Sequence, residues 1–248
     1  MTGPFALRLQ GVSKSFGGLR AVDGVELAVQ PGERRALIGP NGAGKTTLFN
    51  LIAGALPVSS GRITLFDADV TGMAQHRRAA LGLARTYQIT NLFPTLTVLQ
   101  NALLAAQART PARFAMLRPV SRFADLESRA REALTAVGLA DRAGAAVRHL
   151  SHGEQRQLEI AMALAGHPRV LLLDEPAAGL SQAEAQLMTA LLRRLDPAIT
   201  LLIIEHDMDI ALEVARHVTV LHYGRVIADG TREAVRADPT VREIYLGA

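Results

Sequence analysis

Short apolar runs rich in Val, Ile and Leu alternate with stretches of helical periodicity along most of the chain. This alternation is typical of a largely parallel sheet with helices packed against it. After the last apolar run, Tyr223-Gly224-Arg225 predicts a hairpin-like turn into the segment VIAD. The predicted strands are FALRLQ from Phe5, RRALIG from Arg34, RVLLLD from Arg169, TLLIIE from Thr200 and HVTVLH from His217.

The pattern becomes mostly helical between Leu92 and Ala165, where Ala, Leu, Arg and Glu dominate and runs of β-branched residues are absent. We predict a helical lobe inserted into the sheet domain. Within it, the segment LSHGEQRQLEIAMALA contains Ser151 and Glu154 at the spacing of a helix capping box. A cap does not explain Gly153, because glycine weakens the first turn of a helix. On these residues alone a helix cap is the favoured interpretation, and the question of what else the turn binds stays open.

Length and composition limit the class of protein. The chain has 248 residues, of which 49% are hydrophobic, enough for one large α/β domain or two tightly joined lobes. No apolar run approaches the roughly 18 residues that suggest a membrane span, and the N-terminal residues lack a signal-peptide pattern. We expect a soluble intracellular chain. Cysteine is absent, which excludes disulfides and thiolate metal sites.

The net charge of +4 comes almost wholly from arginine, since Lys14 and Lys45 are the only lysines. The arginines are scattered among acidic residues and no aromatic residues interleave with them, which favours a solvated surface over a nucleic-acid-binding face. For the densest run we predict an exposed helical face, with contact to anionic lipid or a partner as the alternative. This run comprises Arg109, Arg113, Arg118 and Arg122.

The segment GPNGAGKTT carries the strongest chemical signal, because it fits the phosphate-binding pattern G-x-x-x-x-G-K-S/T between a predicted strand and a predicted helix. Its glycines would let backbone N–H groups close on phosphate oxygens at a helix N-terminus. We predict that Lys45 reaches the β- and γ-phosphates and that the Thr46 hydroxyl binds Mg²⁺. The predicted nucleotide-binding residues of this loop are Gly39, Pro40, Asn41, Gly42, Ala43, Gly44, Lys45, Thr46 and Thr47.

A second signal is RVLLLDEPAAG, an apolar strand that ends abruptly in two carboxylates. Alone, such a pair would indicate a solvated loop or a cap. Beside a phosphate-binding loop, a strand-end Asp can hold the metal ion. We therefore predict that Asp174 binds Mg²⁺ and that Glu175 polarises the attacking water.

These ordered motifs resemble the nucleotide-binding subunit of an ATP-binding cassette (ABC) transporter, over essentially the whole chain. The segment LSHGE is similar to the family signature LSGGQ and departs from it at His152 and Glu154. The resemblance implies one α/β nucleotide-binding domain over residues 1–248, a P-loop NTPase with a mainly parallel sheet. A RecA-like core of 1–90 and 166–248 would carry an N-terminal antiparallel β subdomain and a helical subdomain of about 91–165.

In this family two cassettes pair head to tail, and the signature turn of one closes over the γ-phosphate held by the P-loop of the other. The resemblance therefore implies that Ser151, Gly153 and Glu154 are nucleotide contacts. Gly153 would allow close backbone approach, while the Ser151 side chain and exposed N–H groups share capping and phosphate binding. The loop AAGLS, Ala177 to Ser181, corresponds to the segment that crosses to the partner cassette.

Three further positions take roles only through the resemblance. Phe16 matches the aromatic residue that stacks on adenine, although a Phe between two strands is more often a core residue. Gln88 matches the glutamine that joins the metal site to the helical lobe, and would otherwise be an ordinary loop amide. His206 matches the switch histidine that contacts γ-phosphate, and would otherwise belong to a helix start capped by Asp207.

The implied activity is ATP-driven closure of a cassette pair, followed by hydrolysis with ATP and Mg²⁺ as cofactors. The implied catalytic residues are Lys45, Gln88, Glu175 and His206. The implied metal ligands are Thr46, Gln88 and Asp174.

The run EHDMDI, the LSHGE signature, the helical insert and the C-terminal segment GRVIADGTREAVRADPTVREIYLGA resemble the branched-chain amino acid importer class. Urea and amide importers share nearly the same features, whereas lipopolysaccharide-export ATPases differ after the switch histidine. The implied partners are a second cassette, identical or different, two membrane permeases and a solute-binding protein, without nucleic acid. The chain would be peripheral, at the cytoplasmic face of the inner membrane.

Two other classes of function are less favoured. Non-transport cassettes of translation and DNA repair usually carry two cassettes or long coiled coils, which this chain lacks. A hydrolase that uses Ser151 and His152 is disfavoured because neighbouring residues of a helix start point in different directions and no nucleophile elbow is present.

Overall fold

The computed structural model describes residues 5–86, 92–108 and 124–246, and forms two sheets and several helices. In chain order the strands are β1 (Leu7–Phe16), β2 (Leu19–Val29), β3 (Arg34–Ile38), β4 (Ser60–Leu65), β5 (Ala68–Asp69), β6 (Leu83–Arg85), β7 (Val170–Asp174), β8 (Thr200–Ile204), β9 (His217–His222) and β10 (Arg225–Thr231). The α-helices are α1 (Lys45–Ala53), α2 (Gln75–Ala80), α3 (Val98–Ala108), α4 (Ala124–Ala136), α5 (His152–Leu164), α6 (Gln182–Arg194), α7 (Met208–Val214), α8 (Arg232–Ala237) and α9 (Pro239–Leu246).

One sheet is antiparallel and the other is mixed, as the sequence predicts. The first has the strand order β2-β1-β4-β5, in which β1 lies antiparallel to β2 and β4. The second has the order β10-β9-β3-β8-β7-β6, in which β3 is parallel to β8 and β9, and β7 is parallel to β8. The carboxyl ends of β3, β8 and β7 therefore meet at one edge, where ligands bind in open α/β sheets.

The predicted hairpin turn between β9 and β10 is confirmed. Tyr223 and Gly224 connect the two antiparallel strands with φ angles of 45° and 78°. Positive φ at both central residues is the geometry of a tight turn that follows strand twist. The N–H of Gly224 donates to the carbonyl of Ala43 at 2.9 Å, so this turn braces the predicted phosphate loop.

The chain divides into two compact units. The first consists of Met1–Leu83, Arg169–Glu175 and Asp196–Ala248, and the second of Ala84–Pro168 and Pro176–Leu195. The second unit therefore contains residues 91–165 of the predicted helical lobe together with α6. Among the helices in the described part of the chain, none combines the length and the apolar composition that a membrane span needs.

Continuous apolar runs form the central strands of the mixed sheet. All five residues of β7 and all five of β8 are buried. Strands of a parallel sheet are covered on both faces, so they lack the alternation of half-exposed strands. Leu48, Phe49 and Ile52 of α1 are fully buried in the same core, which fixes the helix that follows the phosphate loop.

Arg78 holds the far end of this helix. Its side chain is 1% exposed and donates to the carbonyls of Leu51 and Ile52, both at 2.7 Å, in the last turn of α1. It also donates to Met73 at 2.9 Å and to Thr71 at 3.1 Å. A cation here satisfies helix-end carbonyls and interacts favourably with the helix dipole.

Replacing Arg78 by Met is expected to lower the free energy of unfolding by about 3 kcal/mol, because buried carbonyls lose their donors. Urea denaturation followed by circular dichroism measures this. Arg77→Met on the exposed face of α2 is the matched control and should change stability by less than about 0.5 kcal/mol. Equal midpoints for the two variants would show that Arg78 does not hold α1.

Candidate nucleotide-binding site

The predicted phosphate loop lies between β3 and α1, as its sequence requires. Gly44 is the N-cap residue of α1 and has a φ of 101°. A Cβ at this position would lie 2.4 Å from the carbonyl oxygen of Ala21 in β2, so only glycine fits. The loop thus leads directly into a helix N-terminus, whose N–H groups have no partners within the helix and attract anions.

Lys45 is the first residue of α1 and is 6% exposed. Its Nζ donates to the carbonyl of Gly39 at 2.5 Å and to that of Pro40 at 3.0 Å, across the phosphate loop. Burial lowers the pKa of Lys45, and the charges of Glu175 and Asp174 partly offset this effect. The ammonium group therefore lies within electrostatic reach of Glu175, the predicted catalytic carboxylate, and of Asp174, the predicted metal ligand.

Asp174 and Glu175 lie at the end of β7. Asp174 is 2% exposed and is paired in register with Ile204 of β8. The N–H of Glu175 donates to the carbonyl of Ile204 at 3.0 Å, and Glu175 has a φ of 49°. A left-handed conformation at a residue other than glycine costs about 1–3 kcal/mol and is concentrated at functional sites.

His206 follows β8 and is exposed. The next residue, Asp207, caps α7: its carboxylate accepts from the N–H groups of Asp209 at 2.9 Å and Ile210 at 3.2 Å. Asp207 thus has the capping role that the sequence suggested. His206 follows the end of β8, so its imidazole lies at the carboxyl edge of the sheet.

Three neighbouring parallel strands bring these groups to one edge. The phosphate loop follows β3, His206 follows β8, and Asp174 with Glu175 ends β7. Within the described ranges no cluster of three or more His, Cys, Asp or Glu side chains could hold a metal ion. The hydroxyl of Thr46, an exposed residue, and the carboxylate of Asp174 instead fit Mg²⁺, which takes few protein ligands together with substrate phosphates.

Phe16 ends β1 and is 47% exposed, so its interpretation as a core residue is wrong. It pairs with Leu19 across a turn, and the Lys14 ammonium lies 5.1 Å from its ring centroid. The hairpin formed by β1 and β2 includes Ala21, whose carbonyl oxygen would lie 2.4 Å from a Cβ of Gly44. An exposed aromatic ring thus belongs to the hairpin that borders the phosphate loop.

The signature turn, Leu150 to Glu154, forms the predicted capping box at the start of α5. The N–H of Glu154 donates to Ser151 Oγ at 3.1 Å, and the N–H of Ser151 donates to Glu154 Oε2 at 2.8 Å. Arg142 adds an ion pair to Glu154 at 3.1 Å. The side chain of Glu154 is therefore already engaged in holding the turn.

A carboxylate of the same unit restricts access to Gly153. Gly153 is buried, and the carboxylate of Glu184 on α6 lies against it. Glu184 was not among the residues singled out from the sequence. The available signal was the spacing of Ser181 and Glu184, which repeats that of Ser151 and Glu154 and forms a second capping box.

The predicted site residues are divided between the two units. Phe16, the phosphate loop, Asp174, Glu175 and His206 belong to the first unit. The signature turn belongs to the second unit. Gln88 and the run of arginines from Arg109 to Arg122 lie outside the described residues.

Comparisons with known proteins agree with these motifs. The family model "ABC transporter" matches residues 22–178, and the model "Branched-chain amino acid ATP-binding cassette transporter" matches residues 225–248. The chain is 39% identical to BraF of Pseudomonas aeruginosa and to LivG of Escherichia coli K12, each a high-affinity branched-chain amino acid transport ATP-binding protein. Each alignment covers 97% of this chain and 97% of the relative.

Solved structures give the same result. A nucleotide-free ATP-binding cassette from an ABC transporter aligns with a TM-score of 0.85 at 31% identity, covering 98% of this chain and 100% of that one. The ADP conformation of an ATP-binding cassette of an ABC transporter aligns with a TM-score of 0.84 at 31% identity, covering 98% of this chain and 99% of that one. The chain belongs to the family of ATP-binding cassette subunits of ABC transporters.

Proposed function

We propose that this chain binds and hydrolyses ATP to power an importer of branched-chain amino acids. The observation that carries the proposal is the convergence of three strand ends: the phosphate loop with Lys45, the pair Asp174 and Glu175, and His206. The match of residues 225–248 to the branched-chain amino acid cassette model supports the solute class.

Each group at this edge has a chemical role in phosphoryl transfer. The N–H groups of the phosphate loop and the ammonium of Lys45 bind the β- and γ-phosphates. His206 contacts the γ-phosphate, and the Glu175 carboxylate orients the attacking water and accepts its proton. Thr46 and Asp174, together with Gln88, would hold Mg²⁺, which would supply positive charge beside the phosphates. Phe16 stacks on the adenine ring.

Nucleotide-driven pairing links this chemistry to transport. Two cassettes pair head to tail. Ser151, Gly153 and Glu154 of one cassette then lie against the γ-phosphate that the phosphate loop of the other cassette holds. ATP then has a higher affinity for the closed pair and shifts the population toward it. Hydrolysis and release of product reopen the pair, and Gln88 with the helical subdomain transmits this motion to the membrane subunits.

The complete assembly contains two cassettes, two membrane permeases and a solute-binding protein, and the chain lies peripherally on the cytoplasmic face of the membrane.

Capturing a tagged copy from mild-detergent-solubilised native membranes tests this composition by mass spectrometry. Two permeases and a cassette are the expected companions. The associated solute-binding protein can then be screened with branched-chain amino acids against urea and amides. Capture of ribosomal or DNA-bound proteins without permeases would contradict the transport function.

A further inference from the structure

A carboxylate of this chain, that of Glu184, lies beside Gly153 in the signature turn. Gly153 is one of the residues proposed to bind the γ-phosphate held by the partner cassette. Gly153 is the second residue of α5, so its N–H has no acceptor within that helix. The carboxylate of Glu184 lies against this residue. Its Oε1 lies 2.9 Å, and its Cδ 3.2 Å, from where a Cβ of Gly153 would be, so the carboxylate covers the turn.

Glu184 is held in this place by the start of its own helix. Its Oε2 accepts from the N–H of Ser181 at 3.0 Å and from the Ser181 hydroxyl at 2.7 Å. The Ser181 hydroxyl and then the Ser181 N–H hold the pKa of Glu184 below its usual range, with smaller contributions from the Gly153 N–H and His152. The carboxylate is therefore ionised near neutral pH, and it carries the same sign of charge as a phosphate.

Building on the proposed function, we propose that Glu184 is an autoinhibitory anion that occupies the Gly153 N–H until the γ-phosphate of the partner's ATP displaces it. Ser181 ends the loop that would cross to the partner cassette, and the same residue positions Glu184. Contact with the partner can thus move this carboxylate. If Glu184 occupies this site in part of the molecules, the apparent affinity of the site for phosphate falls in proportion to the fraction of molecules in which the site is open.

The proposal predicts that removing the charge of Glu184 favours ATP-dependent closure. In Glu184→Gln the capping box is retained, since Gln also serves at this position, but the N–H of Gly153 faces a neutral and weaker acceptor. An anion at a helix N-terminus is worth about a two- to fivefold change in an equilibrium constant. The ATP concentration for half-maximal hydrolysis should fall by about this factor.

Two readouts on the full chain test this inference. In the ¹⁵N-labelled protein, the amide proton of Gly153 should move upfield in Glu184→Gln. In the complex purified from membranes, the ATP concentration for half-maximal hydrolysis should fall while the ADP affinity of the isolated chain stays unchanged. Glu132→Gln on α4, where Glu132 accepts from Ser128 at 2.8 Å, is the matched control and should alter neither quantity.

The outcomes separate the inference from the proposed function. A wild-type complex that does not hydrolyse ATP overturns both. If the wild-type complex hydrolyses ATP and Glu184→Gln leaves its half-saturating ATP concentration unchanged, the autoinhibitory role is wrong. A higher half-saturating concentration also overturns the proposal, because it would mean that Glu184 supports the turn for phosphate binding.

Discussion

Replacing Glu175 by Gln is expected to lower kcat for ATP hydrolysis by about a hundredfold or more, the usual contribution of a general base. The amide has nearly the same shape as the carboxylate but cannot accept the proton of the attacking water. The backbone contact from Glu175 N–H to Ile204 and the phosphate loop are untouched. ATP affinity should therefore remain within about threefold of wild type, because the contacts that bind the substrate and the transition state equally well are preserved.

Single-turnover hydrolysis together with binding of a fluorescent ATP analogue separates these two effects. Glu213→Gln makes the same isosteric change at an exposed position of α7 in the first unit, and should leave both quantities unchanged. Hydrolysis by Glu175→Gln at a rate close to that of Glu213→Gln would show that another group activates the water.

Replacing Lys45 by Met is expected to weaken ATP binding by about thirtyfold or more, since charge-assisted hydrogen bonds to the phosphates are lost. Stability should change much less. Burial lowers the pKa of Lys45, so the folded state binds this proton less tightly than the unfolded state does. The charge therefore opposes folding at any pH below its ordinary pKa, and this cost diminishes as the pH rises through the lowered value.

Isothermal titration calorimetry with ATP and urea denaturation measure the two effects. Lys14→Met removes the only other lysine, which contacts the Phe16 ring rather than the phosphate loop, and should weaken ATP binding by less than about threefold. A loss of stability in Lys45→Met large enough to explain the loss of binding would show that Lys45 holds the loop rather than the phosphates.

The central strands and the phosphate loop were predictable because local sequence determines them. The segments of β7 and β8 are almost wholly apolar, and β3 ends in the apolar run ALI. Gly39, Asp174 and His206 lie at or just after the ends of these strands, in the expected order. The antiparallel strands gave a weaker pattern. Gly24 lies within β2, and the register of β1 against β2 shifts several times. The alternation of apolar and polar residues that indicates a half-buried strand is therefore lost.

Tertiary contacts explain what the sequence did not reveal. An aromatic residue between two strands fits a core as well as an exposed hairpin end, so only the structure determines the exposure of Phe16. The spacing of Ser181 and Glu184 predicts a helix cap. It cannot predict that the same carboxylate lies against Gly153, because the packing of α5 against α6 brings these residues together.

If ATP hydrolysis by this chain drives solute import, the ATPase rate of the complete complex in proteoliposomes depends on the solute. We predict that the solute-binding protein loaded with a branched-chain amino acid raises this rate several-fold over the unloaded protein, and that the stimulated rate disappears in Glu175→Gln. A rate that is the same with and without the loaded binding protein would show that ATP hydrolysis by this chain is not coupled to import of the solute.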